Sequence, residues 1–186
     1  DNMLDVAVIG GGAAGIMAAI EASSHGARVV LFEKNERLGK KILISGGGKC
    51  NLTNVELSLD NYHGRYPRFA QDVLRAFDQN ALRAWLASIG LETVVDADKG
   101  KVWPASMTSK AVTAALSAEL ERCGVDVRLN CALSTLDRSG EHFALGFADG
   151  TTLQARSVVL ATGGLAAPHL GADASGLQIA ESLGHR

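Results

Sequence analysis

The chain has 186 residues, 47% hydrophobic and 20% charged, which suits one folded α/β domain, or one domain plus a small extension, with a real core, and excludes a disordered chain. A formal net charge of −2 offers no general attraction to nucleic acid or to an anionic membrane surface. No apolar run approaches the ~20 residues that a spanning helix needs, nothing near the first residue reads as a secretion signal, and Cys50, Cys123 and Cys131 are unpatterned, as suits a reducing cytoplasm.

Met3, after Asp1-Asn2, reads as a native start. Leu4-Asp5-Val6-Ala7-Val8-Ile9 then reads as a buried parallel strand opening into Gly10-Gly11-Gly12-Ala13-Ala14-Gly15. An alanine-rich helix follows to about Ser24, stopped by Gly26, and a second strand runs Arg28-Val29-Val30-Leu31-Phe32-Glu33. This order is a βαβ start for binding a dinucleotide. Gly10 permits the turn out of the strand, Gly12 lets the backbone approach a pyrophosphate, and Gly15 lets the helix sit close on the sheet. The helix N-terminus, at Ala13 and Ala14, offers free N–H groups to an anion. Glu33 ends the second strand, where its carboxylate can accept hydrogen bonds from both hydroxyls of an adenosine ribose and repel a 2′-phosphate, which disfavours NADP.

A glycine- and lysine-rich loop follows over residues 38–54. Within it Gly46, Gly47 and Gly48 allow the backbone to wrap a flat or anionic ligand, while Ser45, Asn51 and Thr53 supply hydrogen-bonding groups. The loop is not a Walker A motif, since no glycine stands five positions before Gly48 and no Ser or Thr follows Lys49. Lys40, Lys41 and Lys49 are candidates to complement a diphosphate, against the plainer reading of a solvated basic cluster. Cys50 is either a thiolate partner for a flavin, assisted by Lys49, or a small apolar filler beneath the loop, and the filler is the favoured reading. No second cysteine lies near it to make a disulfide-reductase pair. Asn51-Leu52-Thr53 fits a glycosylation sequon but lacks a secretory context.

Residues 66–77 and 80–89 carry apolar side chains at helical spacing, with Asp78 as a cap between them. Residues 91–95 and 101–103 read as a hairpin turning at Asp98-Lys99-Gly100. Residues 108–123 form a helix with Ala111, Val112, Ala115, Leu116 and Leu120 as its buried stripe and Gly124 as its stop, followed by a parallel strand over 125–129. Residues 132–154 switch toward a period of two, an antiparallel meander. A separate, fully buried run, Ser157-Val158-Val159-Leu160-Ala161, then returns to the parallel sheet and ends in Thr162-Gly163-Gly164, before a last helix over 175–183. The fold class is therefore α/β, a Rossmann-like parallel sheet with a βαβ start and an antiparallel β-meander. His25, His63, His142, His169 and His185 show no metal spacing, and no metal is expected; His169 stands out for following the Thr162-Gly163-Gly164 turn.

Several of these segments resemble a known group. Residues 8–33 look like the adenosine-binding start of the glutathione-reductase-like FAD superfamily, and Val158-Val159-Leu160-Ala161-Thr162-Gly163-Gly164 looks like its second glycine turn. The run Lys41-Ile42-Leu43-Ile44-Ser45-Gly46-Gly47-Gly48-Lys49-Cys50-Asn51-Leu52-Thr53-Asn54 is similar to the signature of bacterial aminoacetone-oxidase-like and bile-acid-intermediate-reductase-like (BaiN-like) NAD(P)/FAD-dependent oxidoreductases. Trp103-Pro104-Ala105-Ser106, Pro168-His169-Leu170-Gly171-Ala172-Asp173-Ala174-Ser175-Gly176 and Leu183-Gly184-His185 fit the same family, so the resemblance spans essentially the whole chain.

The resemblance implies FAD, with its ADP half on Gly10, Gly12, Ala13, Ala14, Gly15, Glu33 and Lys34. It further implies cofactor contacts from Lys41, from Ser45, Gly46, Gly47, Gly48, Asn51 and Thr53, from the backbone at Leu133, and from Thr162 and Gly163. Lys49 stands where the family commonly has Arg, which removes a fork-shaped donor. Family members run to about twice this length, so the chain is expected to be the N-terminal part of a discontinuous FAD-binding domain, without the inserted substrate domain and the C-terminal return segment. The implied activity is an oxidoreductase passing hydride through flavin N5, with NAD(P)H as a donor, a small-molecule substrate and no nucleic-acid or membrane partner. No residue pair marks itself as a catalytic acid/base dyad. An NAD-dependent dehydrogenase and a binding module, either a non-catalytic flavin or nucleotide sensor or an RNA-modification flavoprotein docking tRNA, stand as the other readings.

Overall fold

The computed structural model describes residues 3–64 and 66–185, so Asp1-Asn2, Arg65 and Arg186 lie outside the described residues. The chain divides into two compact units, Asp1–Lys41 with Leu116–Arg186, and Ile42–Ala115.

Along the chain the elements are β1 (Leu4–Ile9), α1 (Ala13–Ser24), β2 (Val29–Phe32), α2 (Lys40–Ile44), β3 (Thr53–Asn54), α3 (Ala70–Ala76), α4 (Gln79–Ser88), β4 (Thr93–Val95) and β5 (Lys101–Pro104). There follow α5 (Ser109–Arg122), β6 (Asp126–Arg128), β7 (Leu133–Ser139), β8 (His142–Phe147), β9 (Thr152–Leu160) and α6 (Ser175–Ser182). The first unit holds a six-stranded sheet in the order β6-β2-β1-β9-β8-β7. The four strands from β6 to β9 are parallel, and β8 and β7 continue the sheet antiparallel.

Apolar burial explains why β1 lies at the centre. Ala7, Val8 and Ile9 are buried, as is all of β2 from Val29 to Phe32, the continuous apolar run expected of strands covered on both faces. Helix α1 packs against β1, β2 and β9 through Gly15, Ile16, Ala19 and Ile20. A second cluster joins Ile9, Val30 and Phe32 to Leu136, Leu145 and Phe147 of the meander, with Ile179 and Leu183 packed against it. The Phe32 and Phe147 rings meet at 4.6 Å between centroids. Each fully buried side chain of this size, such as Ile16, Leu31 or Phe32, contributes about 1.5–3 kcal/mol relative to exposure.

The return to the sheet differs from the two separate runs expected. β9 is one strand from Thr152 to Leu160, its first residues antiparallel to β8 and its later ones parallel to β1, with Ala155 paired to both. The segment Arg156-Ser157 lowers the local hydrophobicity, yet it contains no glycine or proline to break a strand. Nor is the run fully buried, since Ser157 is exposed and Val159 retains 36% exposure.

The second unit carries a three-stranded sheet ordered β3-β5-β4 and the helices α3 and α4. The expected hairpin is present, its turn closed by the Gly100 N–H on the Asp96 carbonyl at 2.9 Å and by Gly100 at φ +64°. Asp78 caps α4, its carboxylate accepting from the N–H groups of Asn80 at 3.0 Å and Ala81 at 2.8 Å. The single helix expected over 66–77 is instead a 3₁₀ turn, Pro67–Phe69, leading into α3, and Phe69, Val73 and Phe77 are exposed. Helical spacing reports a face that is able to pack, and not that a neighbour covers it. The loop expected over 38–54 contains α2, a 3₁₀ turn at Ser45–Gly48 and β3.

Helix α5 buries Val112, Leu116 and Leu120 as expected, while Ala111 and Ala115 are half-buried. Glu119, absent from the expected stripe, is also buried, held by the Arg122 guanidinium at 2.6 and 2.7 Å. Gly124 stops the helix at φ +72°.

Candidate functional site

The first unit gathers its glycines and acid where β1, α1 and β2 meet. Gly10 has φ +111°, and a Cβ there would run into the carbonyl oxygen of Ala161, so the turn after β1 passes directly against the end of β9. At Gly15 a Cβ would run into the Gly10 carbonyl, which is how α1 approaches the strand so closely. Gly12 differs from both. It is the N-cap of α1 with an extended backbone, φ −82° and ψ −176°, and nothing lies within 4 Å of where its Cβ would be. Among the described residues no side chain caps the helix, its first turn holds no acidic residue, and Ala13 and Ala14 are exposed. The first N–H groups of α1 therefore face open space with the positive end of the helix dipole behind them.

Glu33 is buried, with 7% exposure, immediately after β2. Its Oε2 accepts the Gly11 N–H at 2.6 Å, and its Oε1 accepts the Asn35 N–H at 2.8 Å and Asn35 Nδ2 at 2.6 Å. A carboxylate offers about four acceptor positions, so one remains, on Oε2. The backbone around it is stitched to the segment after β6: Glu33 N–H donates to the Arg128 carbonyl at 2.9 Å, and the Glu33 carbonyl accepts from Cys131 N–H at 2.9 Å. Leu133, expected to meet an adenine through its backbone, opens β7 two residues beyond Cys131 and is half-buried.

Lys34, expected at the cofactor, pairs with Asp173 at 2.6 Å. The Lys34 ammonium and the Ser175 hydroxyl and N–H hold the Asp173 carboxyl well below the usual carboxylate range. Lys40 gives its ammonium to Asn35 Oδ1 at 3.0 Å, and Lys41 reaches the Gly164 carbonyl at 3.5 Å. Thr162 packs on Gly176 at the start of α6, where a Cβ would collide with its Oγ1, and Gly163 lies at φ +78° with room for a Cβ 3.6 Å from Lys41 Nζ. His169 is exposed in the short 3₁₀ turn Pro168–Leu170.

The second glycine loop belongs to the other unit. Gly46, Gly47 and Gly48 have φ of 57°, 66° and 84°, the left-handed region that favours glycine. A Cβ on Gly46 would stand 2.5 Å from Trp103 Cζ3, so the indole of β5 floors the loop. The Ser45 hydroxyl donates to the Ile42 carbonyl at 2.8 Å, and its carbonyl accepts from Cys50 N–H at 2.9 Å. Cys50 is buried at φ +63°, in keeping with the filler role. Asn51 and Lys49 are exposed, and Thr53 pairs with Val102. Ser109, buried at the start of α5, donates to the Leu43 carbonyl at 2.7 Å.

Sequence reasoning singled out neither Asn35 nor Asp173 as part of the first cluster, and it named Lys40 as a candidate for the diphosphate, whereas its ammonium donates to Asn35 Oδ1. The sequence signal for Asn35 was its position two residues past a strand-end acid, where an Asx side chain readily turns back on its neighbours. Among the described residues no group of His, Cys, Asp and Glu could hold a metal ion, and no helix is long and apolar enough to cross a membrane.

The family model described as HI0933-like protein Rossmann domain matches residues 4–186. A 3-dehydro-bile acid delta(4,6)-reductase of Clostridium scindens is 40% identical over 182 residues, covering 97% of this chain and 44% of the relative. A ribosomal RNA dihydrouridine synthase of Haemophilus influenzae is 31% identical over 180 residues, covering 95% of this chain and 44% of the relative. The chain thus spans less than half the length of these relatives. Among solved structures, a 3-ketosteroid-delta4-(5alpha)-dehydrogenase from Rhodococcus jostii RHA1 superposes with a TM-score of 0.71 at 19% identity, over 99% of this chain and 54% of that one, a likeness of fold.

Proposed function

The chain belongs to the HI0933-like Rossmann family, and from that premise we propose that it is the adenosine-binding part of an FAD-dependent oxidoreductase. The observation that carries the reading is the buried Glu33 carboxylate facing Gly11, beside the uncapped N-terminus of α1. The residues fit an ADP moiety. The space over Gly12 admits a diphosphate against helix N–H groups, and the remaining acceptor position on Glu33 Oε2 suits a ribose hydroxyl. A buried carboxylate also disfavours a 2′-phosphate by like-charge repulsion.

Bound flavin would supply a ring that accepts one hydride and gives it up again. This chain's residues bind and orient. Gly12, Ala13, Ala14 and Gly15 hold the diphosphate, Glu33 the ribose, and Gly10 keeps the turn tight enough for both. Lys34, Lys41, Leu133, Thr162 and Gly163 complete the proposed contacts in the first unit. In the second unit Ser45, Gly46, Gly47, Gly48, Asn51 and Thr53 are the proposed cofactor contacts, on the likeness of their motif. The chain is read as the N-terminal part of a discontinuous FAD domain. Three free cysteines fit a reducing compartment such as the cytoplasm, and the relatives reported above are bacterial.

The two relatives' names share one chemistry, saturation of a carbon–carbon double bond conjugated with a carbonyl. We therefore read the net reaction as NAD(P)H plus a proton plus such an alkene giving NAD(P)⁺ and the saturated product. A small enone is the first reading of the acceptor, on the higher identity to the bile-acid reductase, and uridine in RNA is the second, on the likeness to the dihydrouridine synthase.

The test is the absorption spectrum of the purified protein, with released nucleotide identified by mass, followed by anaerobic NADPH or NADH. Visible flavin bands from FAD that bleach with NADPH or NADH and recover with an enone support the reading. Recovery with a uridine-containing RNA alone favours the second acceptor. Protein carrying NAD and no flavin overturns the proposal.

A further inference from the structure

We infer that Asn35, backed by Lys40, is a positioning residue that aims the Glu33 carboxylate at an adenosine ribose. The inference rests on the reading of this cluster as an ADP site and adds a determinant to it.

Three groups stand in line. Lys40 Nζ donates to Asn35 Oδ1 at 3.0 Å, and Asn35 Nδ2 donates to Glu33 Oε1 at 2.6 Å. An ammonium only donates and a carboxylate only accepts, so the amide between them has one consistent orientation, oxygen to Lys40 and nitrogen to Glu33. Only a side chain with both a donor and an acceptor at this reach can fill the position. The ammonium polarises the amide, and the amide then holds the carboxylate more firmly than a neutral neighbour would.

The backbone of Asn35 is fixed independently of that side chain. Its N–H also donates to Glu33 Oε1 at 2.8 Å, and its carbonyl accepts from Asn130 N–H at 3.0 Å. Two donors from Asn35 on Oε1 and one from Gly11 on Oε2 lock the carboxylate plane and leave the open acceptor position on Oε2. Removing the Asn35 amide leaves Glu33 held by one backbone N–H on each oxygen, and so less firmly aimed. Replacing it with Asp keeps the size and sets a second carboxylate where the donor was.

The experiment compares ADP with 2′,3′-dideoxy-ADP by calorimetric titration of the chain and its variants. The unaltered chain binds ADP about tenfold more tightly than the dideoxy analogue, the loss expected for a hydroxyl donating to a charged acceptor. In Asn35→Ala that ratio falls toward one, because ADP affinity drops while affinity for the analogue is unchanged; in Asn35→Asp the added charge weakens both nucleotides and the ratio falls as well. Lys40→Met, which alters neither Glu33 nor Asn35, lowers the ratio in the same direction by a smaller factor and serves if an Asn35 variant fails to fold. A merely structural role weakens both nucleotides equally, and a ratio kept in the variants overturns the inference alone. An unaltered chain that does not distinguish the two nucleotides overturns the ADP-site reading and the inference together.

Discussion

Glu33 accepts the Gly11 N–H at 2.6 Å, joining the turn after β1 to the acid after β2. Three donors surround this carboxylate, so it cannot be replaced by a group with one acceptor oxygen without setting a nitrogen against a donor. Glu33→Gln is expected to cost about 1–3 kcal/mol of stability for the donor left unpaired. It also weakens ADP and FAD binding by about tenfold or more. Denaturant titration and calorimetry read the two effects, and unchanged nucleotide affinity would count against a ribose role for this side chain.

The glycines of the first turn separate packing from binding. Gly15→Ala drives a Cβ into the Gly10 carbonyl and is expected to destabilise the chain by about 1–3 kcal/mol through overpacking. Gly12→Ala meets nothing within 4 Å, at a backbone conformation open to any residue. Its melting temperature is expected to match that of the unaltered chain while its affinity for FAD falls, since the methyl group occupies the diphosphate approach. A Gly12→Ala variant with full affinity would remove the diphosphate from this turn.

In the second unit Gly46→Ala combines two penalties, a left-handed φ of 57° and a contact 2.5 Å from Trp103 Cζ3. The conformational part alone costs about 1–2 kcal/mol. Trimming the indole in Trp103→Leu, combined with Gly46→Ala, is expected to recover the steric part and not the conformational part. Equal destabilisation in the single and double variants, measured by urea denaturation, would show that the indole does not floor the loop.

The pair Glu119 and Arg122 gives a pH signature. The hydrogen bond from Arg122 lowers the Glu119 pKa against the opposing effect of burial. A folded pKa below the unfolded one means stability that is present at neutral pH and lost as pH falls through the folded value. In Arg122→Met only burial and the Cys123 contact remain, and burial now pushes the carboxyl upward. The variant is therefore expected to be destabilised most near neutral pH, with the gap to the unaltered chain narrowing toward acid. A gap independent of pH between neutrality and mild acid would refute the charge account.

The βαβ start was legible because each of its signals is local. Apolar runs make β1 and β2, and Gly10, Gly15 and Glu33 stand at positions where backbone geometry and strand ends leave few alternatives. The relay from Lys40 through Asn35 was not legible, since it depends on a side chain turning back and on the short helix α2 bringing Lys40 within reach. Trp103 belongs to a motif legible in the sequence, but its place under Gly46 follows from sheet pairing that spacing does not report. The meander expected to end at Gln154 and the run expected to begin at Ser157 belong to one strand, joined through Ala155 and Arg156. Arg156 and Ser157 are exposed, and the strand continues through them.

The most direct measurement of the central claim is calorimetric titration of the chain with FAD, ADP and NADP⁺ under matched conditions. FAD and ADP are expected to bind one per chain, with NADP⁺ weaker by about tenfold or more, the repulsion of a 2′-phosphate by Glu33 exceeding about 1.4 kcal/mol. Absence of FAD binding by folded chain, or binding of NADP⁺ as tight as that of ADP, would contradict the account.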